Sequence, residues 1–149
     1  MQALLDAIAQ ATPGQDACRI FHGRGGLHPG CEHLSLDWYA PVWVLTSFQP
    51  LSDAQLNSVH AALAQRPEAL NWVYQLRQSG QGRSDTRLMA GSVPEPHEVC
   101  EQGARYRVHV LKGQNHGLFL DMACGRQWLR AQAKDARVLN LFAYTCAFS

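Results

Sequence analysis

The residues best suited to chemistry lie near the end of the sequence, in the run VLNLFAYTCAFS over 138–149. Arg137–Phe142 is a short apolar stretch of the kind that forms a strand buried on both faces, as in a parallel sheet. In an open parallel sheet, ligands bind beyond the carboxyl ends of the strands. The loop after such a strand, here Ala143-Tyr144-Thr145-Cys146-Ala147, must bring its main chain close to the bound molecule. Nucleotide-like sites usually place several glycines in that loop, and this one has none. A Cβ there narrows the pocket, or demands a backbone that avoids positive φ. Cys146 is not read as a nucleophile. Taken alone, the stretch reads equally well as a core strand followed by an aromatic turn.

Other groupings are weaker. His22, His28, Cys31 and His33 could be metal ligands, but the spacing H-x5-H-x2-C-x-H matches no standard zinc arrangement. A Gly-rich loop with incidental histidines is the preferred reading. His22-Gly23-Arg24-Gly25-Gly26 could contact a phosphate or an RNA backbone through Arg24 and the glycine amides. Trp38, Tyr39 and Trp43 could stack on bases, although aromatics alternating along a strand are more often core. His109 and His116 are acid–base candidates, His116 the better one.

The elements that must position these residues follow from pattern. Leu4, Leu5, Ile8 and Ala11 form the stripe of a helix over 2–11, ended by Pro13-Gly14. Residues 20–34 read as a loop. Residues 36–48 read as one or two strands interrupted at Pro41. Ser52 and Gln55 form a capping box, and the helix behind it carries Leu56, Val59 and Leu63 before stopping ahead of Pro67. Residues 70–77 read as a strand, 78–86 as a polar turn or loop, and 87–93 as a short strand. Val99–Glu101 and Arg105–Leu111 flank Gln102-Gly103 as a hairpin with one wet face. Residues 122–134 read as a helix with Met122, Leu129 and Ala133 facing inward.

With the elements in place, the run at 138–149 resembles the first motif of the class I S-adenosylmethionine-dependent methyltransferases that modify ribosomal RNA. The group is the large-subunit methyltransferase I and K/L group, whose usual form is VLNLFAYTGGFS. Upstream, GQNHGLFLDM over 113–122 resembles that group's turn and strand, which usually reads TGxFLDQR. The resemblance is good over about 87–149 and weak before it. It implies S-adenosylmethionine as cofactor, with Asn140, Leu141, Phe142, Ala143, Tyr144 and Thr145 lining its methionine and ribose side and Asp121 nearby. Cys146 and Ala147 stand where the group usually has glycine, which puts the geometry of the cofactor loop in question. Met122-Ala123 replaces the group's Gln-Arg, and Arg126 is the residue that could make up those contacts. The resemblance also implies transfer to RNA: some members of the group methylate cytosine at carbon 5 and others act on guanine, and cytosine carbon 5 of ribosomal RNA is the acceptor expected here. The cysteine for that attack belongs to a later motif, since neither Cys100 nor Cys124 has a matching context. The acidic residue for the ribose hydroxyls would also follow residue 149.

The expected fold class is α/β: an α+β N-terminal accessory domain over 1–112, then the beginning of a Rossmann-like methyltransferase domain over 113–149. A chain of 149 residues with a net charge of +1 is too short for a complete doubly wound domain as well, and it creates no global field toward nucleic acid or anionic membrane. It reads as an N-terminal fragment, inactive by itself. Five cysteines without C-x-x-C indicate free thiols and a cytoplasmic location. The start has no basic n-region, and no apolar run approaches the roughly 20 residues of a membrane span. The strand at 138–142 would present an unpaired apolar edge, ordered only by packing on the N-terminal domain or by pairing with another chain in a homo-oligomer. The alternative function is a non-catalytic RNA- or protein-binding module.

Overall fold

A computed structural model describes residues 1–77, 84–113, 115–141 and 143–148. The elements run α1 (Gln2–Gln10), β1 (Cys18–His22), β2 (Leu34–Tyr39), β3 (Val42–Ser47), α2 (Asp53–Ala64), β4 (Trp72–Arg77), β5 (Ser84–Ala90), β6 (His97–Glu101), β7 (Ala104–Val108) and α3 (Ala123–Gln132). Single 3-10 turns lie at Gly23–Gly25 and Leu120–Met122. Strands β1 to β5 form one sheet in sequence order, and β6–β7 is a separate hairpin. Among the named strands β3 and β4 pair in parallel, and α2 supplies the crossover that a parallel pair requires.

Every residue of β2 and β3 is buried, because the sheet is covered on both faces. On one face Leu36, Trp43, Leu45 and Tyr74 pack against Leu4 and Ile8 of α1 and Leu56, Val59 and Leu63 of α2. Each such side chain contributes about 1.5–3 kcal/mol on burial. On the other, Val42, Val44 and Val73 pack against Val99 and Val108 of the hairpin and against Val110, Leu118 and Leu120. Alternation on β7 is as expected, with Arg105 and Arg107 exposed and Val108 buried. The capping box forms: Ser52 Oγ accepts from the Gln55 amide at 3.3 Å, and the Ser52 amide donates to Gln55 Oε1 at 2.9 Å.

Four expectations need correction. Residues 20–22 belong to β1, paired with β2, because Phe21 is buried against the α1 side despite the glycines that follow. Residues 84–86 belong to β5, while 78–83 of the expected polar loop lie outside the described residues. Met122 is exposed, and the buried residue of α3 is Arg126. Finally, 137–141 form no strand: Leu139 is 81% and Leu141 68% exposed, and no ladder partner reaches them among the described residues. Strand pairing is a non-local interaction, so apolar character alone does not produce it. The strand edge through which a second copy would pair is therefore not formed there, and Phe142 lies outside the described residues.

Candidate functional site

Two segments that are distant in sequence meet in space. Gly117 adopts φ 102°, and a Cβ there would lie 3.1 Å from the Arg107 carbonyl oxygen, so glycine suits this approach to β7. Beyond it Leu118 and Leu120 are buried under the sheet, while Phe119 faces outward. The turn at 143–148 docks on this stretch. Thr145 Oγ1 donates to the Gly117 carbonyl at 2.5 Å, and the Tyr144 and Phe119 rings lie 5.5 Å apart. The Cys146 amide donates to the Ala143 carbonyl at 2.7 Å, closing the turn. Tyr144 and Cys146 have φ of 48° and 59°. Cys146 thus takes the left-handed conformation that its side chain was expected to avoid.

Helix α3 sits beside the turn on an ion pair. Arg126 Nε and Nη2 each donate to a carboxylate oxygen of Glu101 at 2.6 Å, and Nη2 also reaches the Phe119 carbonyl at 2.9 Å. Both side chains are almost wholly buried. The hydrogen bonds that Arg126 donates to Glu101 hold the Arg126 pKa above its usual value, against the opposing effect of burial. The Phe148 ring lies 5.6 Å from the guanidinium, within cation–π range. Arg126 is thus committed to holding α3 on the hairpin, which leaves it poorly placed to replace the missing Gln-Arg contacts.

Between the hairpin, α3 and the 138–148 segment lies a cavity of about 540 Å³, bordered by Tyr106, Leu129, Ala133, Val138, Asn140 and Phe148 among others. Asn140, half-buried, lines this cavity; Thr145 and Tyr144 engage the 117–119 segment; Ala143 is half-buried and Cys146 exposed in the turn. Asp121 stands apart from them. It is exposed on the 3-10 turn and lines a recess of about 50 Å³ with Arg19, Asp37, Tyr39, Arg77 and His116. The structure brings the turn and the Gly117–Phe119 stretch together, and it places Asp121 and Asn140 in separate cavities. A cavity of this size falls in the range of small-molecule sites, and Asn140, Ala147 and Phe148 of the C-terminal segment line it, so the residues fit a nucleoside-type cofactor.

The other candidates have structural places. Trp38, Tyr39 and Trp43 are core residues. Cys31 is buried and accepts from the N-terminal ammonium, and His28 packs on Phe21 at 4.9 Å. Among the described residues, no group of three or more His, Cys, Asp or Glu could hold a metal. Gly23 is set by packing, since a Cβ would fall 1.8 Å from the Cys31 carbonyl oxygen. His109 is exposed, whereas His116 is buried edge-on to Tyr39 at 5.4 Å, with Nε2 unpartnered. Burial lowers its pKa to about 4, aided by the charges of Arg77 and His97. Sequence reasoning missed the Glu101–Arg126 pair, which carries no apolar periodic signal. Among the described residues no helix is long and apolar enough to cross a membrane.

Comparison with known proteins adds independent findings. A family profile described as S-adenosylmethionine-dependent methyltransferase matches residues 18–149. The ribosomal RNA large subunit methyltransferase I of Pseudoalteromonas atlantica is 30% identical over 153 aligned residues, covering 95% of this chain and 38% of that protein. The ribosomal RNA large subunit methyltransferase K/L of Pseudoalteromonas translucida is 47% identical over 47 residues, 32% of this chain and 7% of that protein. The crystal structure of SMU.776 complexed with SAH superposes with a TM-score of 0.73 at 26% identity, covering 99% of this chain and 37% of that one. The chain therefore spans between a third and two fifths of the length of relatives that match it throughout.

Proposed function

This chain belongs to the S-adenosylmethionine-dependent methyltransferase family, and on that premise we propose that the whole protein transfers a methyl group to large-subunit ribosomal RNA. In this reading residues 1–112 are an accessory domain and 113–149 open a Rossmann-like catalytic domain. The observation that carries it is the docking of the 143–148 turn on Gly117–Phe119, through the Thr145 hydrogen bond and the Tyr144–Phe119 ring contact. The two motifs lie far apart in sequence, and their meeting is what a shared cofactor site requires.

When bound, S-adenosylmethionine supplies an electrophilic methyl group on a sulfonium. The chain's own residues hold and orient it. In this reading Asn140 and Ala147, which line the cavity, face the cofactor, and the turn over 143–146 joins them. Thr145 does not reach for the ligand: its hydroxyl fixes the turn by bonding the Gly117 carbonyl. Asp121, in the preceding motif, lines a separate recess and does not border this cavity. The acceptor we propose is carbon 5 of cytosine, activated by a cysteine of a later motif; this rests on the resemblance to the methyltransferase I and K/L group. Residues 1–149 alone then carry one part of the cofactor site and transfer no methyl group.

The test is methyl transfer from labelled S-adenosylmethionine to large-subunit ribosomal RNA by the whole protein, with calorimetry of S-adenosylhomocysteine binding. Asn140→Ala is expected to weaken binding tenfold or more. A whole protein that labels no RNA, or an unchanged affinity in that variant, overturns the assignment or the role of Asn140 respectively.

A further inference from the structure

One row of the five-stranded sheet is polar, on the face that also carries Val42, Val44 and Val73. His22 pairs with Ser35, Ser35 with Thr46, and Thr46 with Gln75, crossing β1 to β4. Ser35, Thr46 and Gln75 are all buried, and burying polar groups costs free energy unless they are satisfied. Arg19, Arg24 and Arg77 surround this row and, with Asp37, enclose a cleft of about 70 Å³.

Each guanidinium is held by a different partner. Arg19 Nε donates to Asp37 Oδ1 at 2.8 Å. Arg24 lies 4.4 Å over the Phe48 ring. Arg77 Nε donates to Gln75 Oε1 at 2.5 Å, and no ion pair within 4.0 Å of Arg77 is found among the described residues. A guanidinium has five N–H donors, so these contacts fix the groups and leave donors over. Burial lowers the Arg77 pKa, and repulsion from Arg19 and Arg24 acts the same way, against attraction from Asp37. Three cations against one carboxylate leave the cleft positive. Asp121 lies in the adjoining recess and marks its acidic limit.

We propose that this cleft is a phosphate site, formed by Arg24 and Arg77 with the Ser35 and Thr46 hydroxyls, that takes one phosphodiester of the RNA substrate. The volume suits a single tetrahedral oxyanion and is too small for a base. Planar guanidinia suit phosphate oxygens in pairs. The RNA source rests on the proposed function; the phosphate chemistry does not.

The experiment uses the full chain, with Arg24→Gln, Arg77→Gln and a control, Arg105→Gln on the exposed face of β7. Arg19 is left intact, because its loss would strand Asp37. Inorganic phosphate is titrated while arginine Nε–H resonances are followed, and a short single-stranded RNA is bound across a salt series. Both cleft variants are expected to lose the phosphate-induced shifts. Each should reduce the slope of log affinity against log salt by about 0.7, the value of one phosphate contact on a single strand. Phosphate shifts without RNA binding would keep the site and overturn its RNA source. RNA binding with unchanged slopes in both cleft variants, or an equal loss in the control, would overturn the site and leave RNA methylation standing. Arg24 is exposed, so its variant reports even where Arg77→Gln perturbs folding.

Discussion

Replacing Arg126 with leucine should detach α3 and the C-terminal turn while the sheet stays folded. Arg126 is the buried residue of α3 among those described, so the helix has little apolar anchorage of its own. Its guanidinium and the Glu101 carboxylate are 4% and 6% exposed, so solvent screens the pair little. Removing one partner leaves Glu101 buried and uncompensated, a loss of about 3–5 kcal/mol. That is comparable with the free energy that holds a docked element closed, and smaller than the 5–15 kcal/mol or so typical of a whole domain. Hydrogen exchange separates the two outcomes. Amides of 123–132 should lose about a hundredfold or more in protection, since each 1.4 kcal/mol or so is a factor of ten, while amides of β2, β3 and β4 keep theirs. The double variant Glu101→Leu, Arg126→Leu should recover most of the loss, because an apolar pair of similar volume replaces a buried ion pair at little net cost. Less than threefold change in α3 protection, or a double variant as damaged as the single one, would refute the anchoring argument.

Three further outcomes are expected. His116 has its pKa lowered from 6.5 to about 4 by burial, so the folded state disfavours the proton. Stability should be full above pH 6.5, fall as pH drops toward 4 and level off below it, about 3 kcal/mol in all. His116→Phe should flatten that slope in urea denaturation at pH 7 and pH 4.5, and an unchanged slope would count against it. Gly23→Ala forces a Cβ onto the Cys31 carbonyl oxygen at 1.8 Å, backbone that cannot swing aside, and should cost about 1–3 kcal/mol in thermal unfolding. A melting temperature equal to the parent's would show that the 3-10 turn relaxes freely. Cys146→Val should destabilise the docked turn, because a β-branched residue tolerates φ of 59° poorly, whereas Cys146→Gly should be neutral or favourable. Exchange of the Cys146 and Ala147 amides reads the difference, and equal protection in the two variants would refute it.

Local patterns were readable wherever one segment decides its own structure. The Ser52–Gln55 box, the alternation of β7 and the apolar stripes of α1 and α2 all formed as the residue types dictate. β1 was hidden because glycines 23, 25 and 26 follow it closely and dominate the local signal, while its burial depends on pairing with Leu36 and Asp37. The inward position of α3 was hidden because burial there is electrostatic, and the deciding partner, Glu101, lies on another element. The segment 137–141 shows the reverse case: its residues suit a buried strand, but its main chain finds no ladder among the described residues. The contact of Thr145 with Gly117 could be expected only through the family resemblance, since no spacing rule brings those positions together.

The missing glycines at the turn now have a physical reading. Holding a non-glycine residue in the left-handed region costs about 1–2 kcal/mol, and such strain persists only where the surroundings over-determine the conformation. Here they do: the Thr145 hydroxyl is tied to Gly117, the Tyr144 ring meets Phe119, and Phe148 packs on the anchored Arg126. The left-handed residues, Tyr144 and Cys146, lie on either side of the Thr145 anchor. The turn is therefore shaped by docking on the preceding motif, and its glycine content does not decide its path. Substituting cysteine and alanine for glycine in this loop is compatible with a cofactor-facing main chain as long as the dock holds. Loosening the dock through Arg126 should thus disturb the turn more than changing Cys146 itself, an ordering that the exchange measurements on both variants can reverse.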